Sequence, residues 1–247
     1  MNASRPARPL VIAHRGASGE RPENTLPAYA LAVEQHADMI EIDLHRTRDG
    51  AIVIAHDEHL PGLPGGREIG ECSLADVRAL ATGETRVPTL EEVLDVFGAL
   101  IPFNLEVKCG AVHPYPGIEA QAVSAIEARG LGRTILFSSF DDGVLRRLRE
   151  AAPTARIGVL VSPRDPDHWF ERCDAVGAEA VHFWKGIATD RIVERAHGEG
   201  LAVFVYTVDE PHEMETLLAR GCDGLFTNFP ARMRELLGRS PLGAHRG

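Results

Sequence analysis

Eight short apolar runs, each followed by a stretch of helical character, constrain this chain more than any other feature. The runs are Leu10–Ala13, Met39–Leu44, Phe103–Val107, Thr134–Phe137, Arg156–Val161, Ala180–Phe183, Ala202–Tyr206 and Gly224–Phe226. Helical candidates follow at Thr25–Gln35, Leu90–Phe97, Gly117–Ala128, Asp142–Ala151, Asp165–Val176, Thr189–Gly198, Glu210–Ala219 and Pro230–Leu237. Strands that alternate with helices imply a parallel sheet, since parallel neighbours need a long crossover between them. The runs are apolar throughout, as strands covered on both faces are. Eight repeats in 247 residues fit a closed (β/α)₈ barrel better than an open doubly wound sheet. The expected fold is therefore α/β, a TIM barrel, in a single domain over residues 1–247.

One segment interrupts the rhythm. Thr47-Arg48-Asp49-Gly50 separates Met39–Leu44 from a second apolar run, Ala51–Ala55. Asp-Gly between extended runs is a hairpin signal. The stretch Glu58–Val87 that follows is rich in Pro and Gly and carries one weak helical segment, Leu74–Ala81. It reads as a short insertion after the second strand.

Composition narrows the function classes. With 26 basic and 36 acidic residues the formal charge is 26 − 36 = −10. That balance argues against a nucleic-acid partner, which needs a basic surface, and against stable docking on anionic membranes. No run approaches the roughly 20 apolar residues of a membrane span, and the first residues lack a secretory h-region. A cytoplasmic location is the expectation. Cys72, Cys109, Cys173 and Cys222 are widely separated, so any metal here is expected on oxygen or nitrogen.

Barrel enzymes place their chemistry at the C-terminal ends of the strands. Those ends are unusually polar: His14-Arg15, Glu41 and Asp43, His56-Asp57, Glu106 and Lys108, Ser138-Ser139-Phe140, Tyr206-Thr207 and Thr227-Asn228. Glu41 and Asp43 are two apart on a strand, so they share a face; Glu106 and Lys108 do likewise. A single strand carboxylate ordinarily pairs with Arg or Lys. Three carboxylates from neighbouring strands instead suggest one hard divalent cation, Mg²⁺ in the first instance and Ca²⁺ as the alternative. His14 and His56 both follow apolar strands and can serve as acid and base near neutral pH. Arg15 and Lys108 add fixed positive charge, a set suited to a phosphate ester. His45 shares the parity of Glu41 and Asp43 but lies further on, and is expected to be structural or at the rim. His182 and Trp184 end the sixth of the eight runs and carry somewhat more interest than the remaining histidines.

These residues occur in a pattern. His14-Arg15-Gly16, Pro22-Glu23-Asn24-Thr25, Glu41-Ile42-Asp43-Leu44, Thr47-Arg48-Asp49-Gly50 and His56-Asp57 come in order. Val87-Pro88-Thr89-Leu90, Asn104-Leu105-Glu106-Val107-Lys108, Ser138-Ser139-Phe140, Tyr206-Thr207-Val208 and Gly221-Cys222-Asp223-Gly224 through Pro230 follow. The series resembles the signature of the glycerophosphodiester phosphodiesterase family along nearly the whole chain. The resemblance implies a (β/α)₈ barrel with an insertion after the second strand. It also implies hydrolysis of glycerophosphodiesters to glycerol 3-phosphate and an alcohol with a divalent cation. By the same resemblance the metal ligands fall on Glu41, Asp43 and Glu106, the catalytic histidines on His14 and His56, and the phosphate contacts on Arg15 and Lys108. Tyr206 and Asn228 stand where the family commonly has Trp and Asp, outside the expected contacts to metal and phosphate.

The expected substrate is a small, water-soluble glycerophosphodiester, its alcohol portion near Phe140 and Tyr206. The glycerol 2-hydroxyl would attack phosphorus, with His56 as base and His14 as acid in that first step. A phospholipase-type enzyme on the same barrel is the alternative, disfavoured by the polar insertion. An inactive binding protein is a further one, disfavoured because every expected site residue is present. The oligomeric state is left open.

Overall fold

The computed structural model describes residues 6–81, 83–110 and 114–239. Among the described residues there are nine strands: β1 (Leu10–His14), β2 (Met39–Arg46), β3 (Ile52–Ile54), β4 (Phe103–Val107), β5 (Ile135–Ser139), β6 (Arg156–Val161), β7 (Ala180–Trp184), β8 (Ala202–Tyr206) and β9 (Gly224–Thr227). Eight of them run parallel in the ring β1-β2-β4-β5-β6-β7-β8-β9, and β1 closes it by pairing with both β2 and β9. Ile12 sits at the seam, opposite Met39 on one side and Phe226 on the other. The hairpin expected around Asp49-Gly50 is formed by β2 and β3, which pair antiparallel with Leu44 opposite Ile54. β3 therefore lies outside the barrel ring.

The helices are α1 (Leu26–Glu34), α2 (Leu74–Arg78), α3 (Leu90–Phe97), α4 (Ile118–Glu127), α5 (Asp142–Ala151), α6 (Trp169–Val176), α7 (Asp190–Gly198), α8 (Pro211–Ala219) and α9 (Pro230–Arg239). Side-chain caps set several starts. Thr25 caps α1, Asp141 accepts from Val144 N at α5, and Thr89 with Glu92 forms a capping box at α3. Each such cap stabilises its helix by ~1 kcal/mol. Most elements fall within two residues of their sequence pattern, but two helices are shorter by three or more. α6 begins at Trp169 rather than Asp165, because His168 takes a left-handed backbone (φ 56°) that no α-helix continues. α2 ends at Arg78, short of Ala81.

Strand parity divides the barrel residues into two layers. Val11, Ala13, Ile40, Ile42, Leu105 and Val159 point outward and are buried under the helices. Ile12, Met39, Leu136, Ala180, Ala202, Phe204 and Phe226 fill the interior. Above this apolar plug, towards the strand C-termini, buried polar side chains begin: Glu41, Asp43, Asn104, Ser138 and His182. Residues between β3 and α3 form an apolar cluster of their own, in which Leu63, Ile69, Cys72 and Val77 pack under Val53 and Ala55. Among the described residues, no helix is long and apolar enough to cross a membrane.

Candidate active site

The turn after β1 begins the site. Arg15 and Gly16 are both left-handed (φ 57° and 84°), and a Cβ on Gly16 would lie 2.7 Å from the Ala28 backbone, so only glycine fits. The conformation at Arg15 costs roughly 1–3 kcal/mol. It aims the Arg15 N–H at Glu41 Oε2 (3.0 Å), while the Arg15 carbonyl accepts from Asn24 N (3.1 Å). Asn24 is itself left-handed (φ 56°) and donates from Nδ2 to Asp43 Oδ2 (2.9 Å). Two adjoining turns thus hold two neighbouring carboxylates of β2.

Register brings in the third. Asp43 is the direct partner of Glu106 on β4. Glu41, Asp43 and Glu106 each offer an oxygen within 4.8 Å of the others. The Lys108 ammonium bridges Asp43 (2.8 Å) and Glu106, and Arg15 Nε lies 3.3 Å from Asp43 Oδ2. Burial alone would raise the Asp43 carboxyl, but Lys108 and Arg15 together outweigh it and hold the group below the usual range. Glu41 goes the other way: burial, then the charges of Asp43 and Glu106, push it well up. Glu106 is raised too, by burial first. Burial disfavours the Lys108 cation, yet Glu106 and Asp43 raise it above the ordinary lysine value.

Ordinary pairing with Arg and Lys therefore accounts for Asp43 and Glu106 but not for Glu41. Its Oε1 is buried and has no hydrogen-bond partner. A buried carboxylate oxygen without a donor is costly. Three oxygen donors round such an atom fit a hard divalent cation.

Both expected histidines reach the same cavity, of about 370 Å³, together with Arg15, Glu41, Glu106 and Lys108. The tautomer of His14 can be worked out. Asn228 Nδ2 donates to Asp209 Oδ2 (2.7 Å), which fixes the amide so that Oδ1 faces His14 Nδ1 at 2.8 Å. Nδ1 must then carry the hydrogen, leaving Nε2 for the cavity. Burial and then Arg15 lower His14 to about 4. His56 is half-exposed, and its Nδ1 lies 2.8 Å from Asp57 Oδ1. Phe140 and Tyr206 also line the cavity, with ring centroids 6.0 Å apart and planes at 85°.

A model of the glycerophosphoryl diester phosphodiesterase family matches residues 14–232. The chain belongs to this family. Over 240 residues it is 33% identical to a glycerophosphodiester phosphodiesterase of Caldanaerobacter subterraneus subsp. tengcongensis, covering 92% of this chain and 97% of that one. A relative of the same description from Bacillus altitudinis is 32% identical over 235 residues, with 90% and 95% covered. Among solved structures, an Oleispira antarctica phosphodiesterase in complex with the product sn-glycerol-3-phosphate superposes with a TM-score of 0.79. It is 29% identical, and the match covers 94% of this chain and 97% of that one.

Against the family signature, three placements go beyond what the sequence indicated. Asn228, set aside as remote from the expected contacts, is the hydrogen-bond partner of His14. Its signal was its place at the end of β9, next to β1 in a closed barrel. His45 takes the structural of its two expected roles and adds a link to the site: it is buried and bonded to Tyr115 Oη (2.8 Å) and the His56 carbonyl (3.2 Å), so it steadies the backbone of His56. Trp184 lines the cavity with Phe140 and Tyr206. His182 lies in the barrel interior against Phe204 and Phe226. His113 and His245 lie outside the described residues.

Proposed function

We propose that this family member, which hydrolyses glycerophosphodiesters, does so with one divalent cation on Glu41, Asp43 and Glu106 and with His14 and His56 as the proton-transfer pair. The observation that carries the reading is the buried, unpartnered Glu41 Oε1 beside two further carboxylates at the mouth. Oxygen donors suit a hard cation, and together with the cytoplasmic address proposed below they favour Mg²⁺, with Ca²⁺ the alternative. When bound, the cation would supply fixed positive charge to oxygens of the substrate.

The chain's own groups divide the remaining work. Arg15 and Lys108 supply positive charge for the phosphate oxygens. His56 Nε2 takes the proton of the glycerol 2-hydroxyl as its oxygen bonds to phosphorus, and the Asp57 carboxylate stabilises the imidazolium that forms. His14 Nε2 gives a proton to the alcohol oxygen as its bond to phosphorus breaks. Its Nδ1–H stays on the Asn228 amide oxygen, so Nε2 carries that proton only in the imidazolium; burial and Arg15 lower the free group to about 4, and it is the negative charge of the bound phosphate that would hold the second proton there until transfer. Water then opens the cyclic phosphate with the two histidines exchanging roles, leaving glycerol 3-phosphate. The substrate is a small water-soluble diester with its alcohol portion near Phe140 and Tyr206. We place the protein in the cytoplasm and treat residues 1–247 as one functional domain, with 58–87 an insertion.

Release of glycerol 3-phosphate from glycerophosphocholine, followed with and without EDTA, tests the reading. The expected outcome is turnover that chelation abolishes and added Mg²⁺ restores. Glu41→Gln should lose metal affinity and activity together. Undiminished turnover in EDTA would reject the metal assignment.

A further inference from the structure

The cavity has two chemically different walls. Its charged and titratable groups, His14, Arg15, Glu41, His56, Glu106 and Lys108, come from the part of the barrel around β1, β2 and β4. Phe140, Trp184 and Tyr206 come from the ends of β5, β7 and β8. Phe140 and Trp184 stay 42% and 39% exposed, which is unusual for side chains of this size in a protein that buries most of its aromatics.

The aromatic wall is held by contacts on several sides. Phe140 and Tyr206 meet edge to face, and Arg172 holds the Phe140 carbonyl (2.8 Å). Tyr206 Oη donates to the Val161 carbonyl (2.8 Å). Trp184 is the register partner of Tyr206 at the last pair of β7 and β8. Its indole lies against Gly186, where a Cβ would come within 1.9 Å of the ring. Gly186 is not left-handed, so it is the space claimed by the indole that requires glycine there. The neighbouring cation, Lys185, is drawn away to Glu213 (2.7 and 2.8 Å).

Such a wall offers little to a neutral polyol, since the one hydroxyl among the three side chains is already spent on Val161. An acyl chain would want aliphatic surface as well. The aliphatic side chain that lines the cavity, Leu160, is only 5% exposed, and of the exposed large hydrophobics among the described residues, Val96, Leu100, Phe140 and Trp184, the two aliphatic ones do not line it. What the wall does offer is aromatic π-surface on a protein of net charge −10. Ring faces of this kind attract an organic cation, and the overall field draws one in. We propose that Phe140, Trp184 and Tyr206 form a seat for a quaternary-ammonium alcohol, and so make the enzyme selective for diesters whose alcohol carries a fixed positive charge. The inference rests on the reading of the opposite wall as the seat of the glycerol phosphate.

Two substrates that differ only in charge test it: glycerophosphocholine and its carbon isostere, the glycerophosphodiester of 3,3-dimethylbutanol. The wild-type enzyme should prefer the choline ester by roughly tenfold in kcat/KM, mainly through KM. Trp184→Leu, which stays apolar but loses the π-face, should bring the ratio near unity, and Trp184→Phe, smaller than Trp yet aromatic, should restore most of it. Equal use of both esters by the wild type, preference for the isostere, or an unchanged ratio in Trp184→Leu overturns the proposal while leaving the phosphodiesterase reading intact. Turnover of neither ester overturns that reading and the seat with it.

Discussion

At the scale of single residues, the site is organised by what each polar atom is left to do after its neighbours are satisfied. Glu41 is the case in point: one oxygen accepts the Arg15 N–H and the other accepts nothing. His14 shows the same logic through a longer relay, from Asp209 to Asn228 to Nδ1, which leaves Nε2 for substrate. Removing the relay should misorient the ring without emptying the carboxylate cluster. Asn228→Ala is therefore expected to lower kcat by about tenfold or more while leaving metal affinity near wild type. Measured kcat and metal titration together check this; a parallel loss of both would place Asn228 in the metal site instead. His14→Ala and His56→Ala should each lose about 10²–10⁴ in kcat, the usual worth of a positioned acid or base, with circular dichroism reporting an intact fold. A variant that kept near-normal kcat would return that histidine to a structural role.

Individual elements carry constraints that come from the barrel rather than from themselves. β6 contains Gly158, where a strand would ordinarily prefer a branched side chain. The reason lies across the sheet. A Cβ on Gly158 would stand 2.4 Å from His182 Nε2, so the imidazole of β7 occupies the space of the missing side chain. Gly158→Ala should accordingly destabilise the fold by about 1–3 kcal/mol through overpacking, although alanine is the better strand residue. Denaturant unfolding of the variant measures this, and His182→Leu should not rescue it fully, because leucine is no smaller. A stabilising Gly158→Ala would mean that the imidazole yields without strain. At the level of elements the sequence was most readable: β4, β6, β8, α3 and α5 begin and end where the apolar periodicity and the caps place them. α6 was misread at its start because the left-handed His168 leaves no mark in the hydrophobic pattern.

For the molecule as a whole, the buried imidazole of His182 links the fold to pH. Burial alone, with no charged partner, lowers it to about 3 from the 6.5 of a free histidine. The unfolded chain therefore binds a proton that the folded one refuses between those values. The resulting stability is present above pH 6.5 and is lost progressively as the pH falls towards 3. From pH 7 to pH 5 this group should account for a loss of about 2 kcal/mol. His182→Leu should remove that share, which unfolding curves at the two pH values would show; an identical acid loss in the variant would assign it elsewhere.

Closure of the ring also marks the boundary between what was local and what was not. Strand parity is a property of a few adjacent residues, so the shared face of Glu41 and Asp43, the eight-fold alternation and the hairpin at Asp49-Gly50 were all determined by the sequence. The contact of His14 with Asn228 joins residues 214 apart and exists because β9 returns to pair with β1. The facing of Asp43 and Glu106 depends on the stagger between β2 and β4, and the gathering of Phe140, Trp184 and Tyr206 on one wall depends on three strand ends meeting round a mouth. Register and closure minimise the free energy of the whole interior at once, and no window of sequence contains them; only the tertiary structure decided which of the polar strand ends became partners.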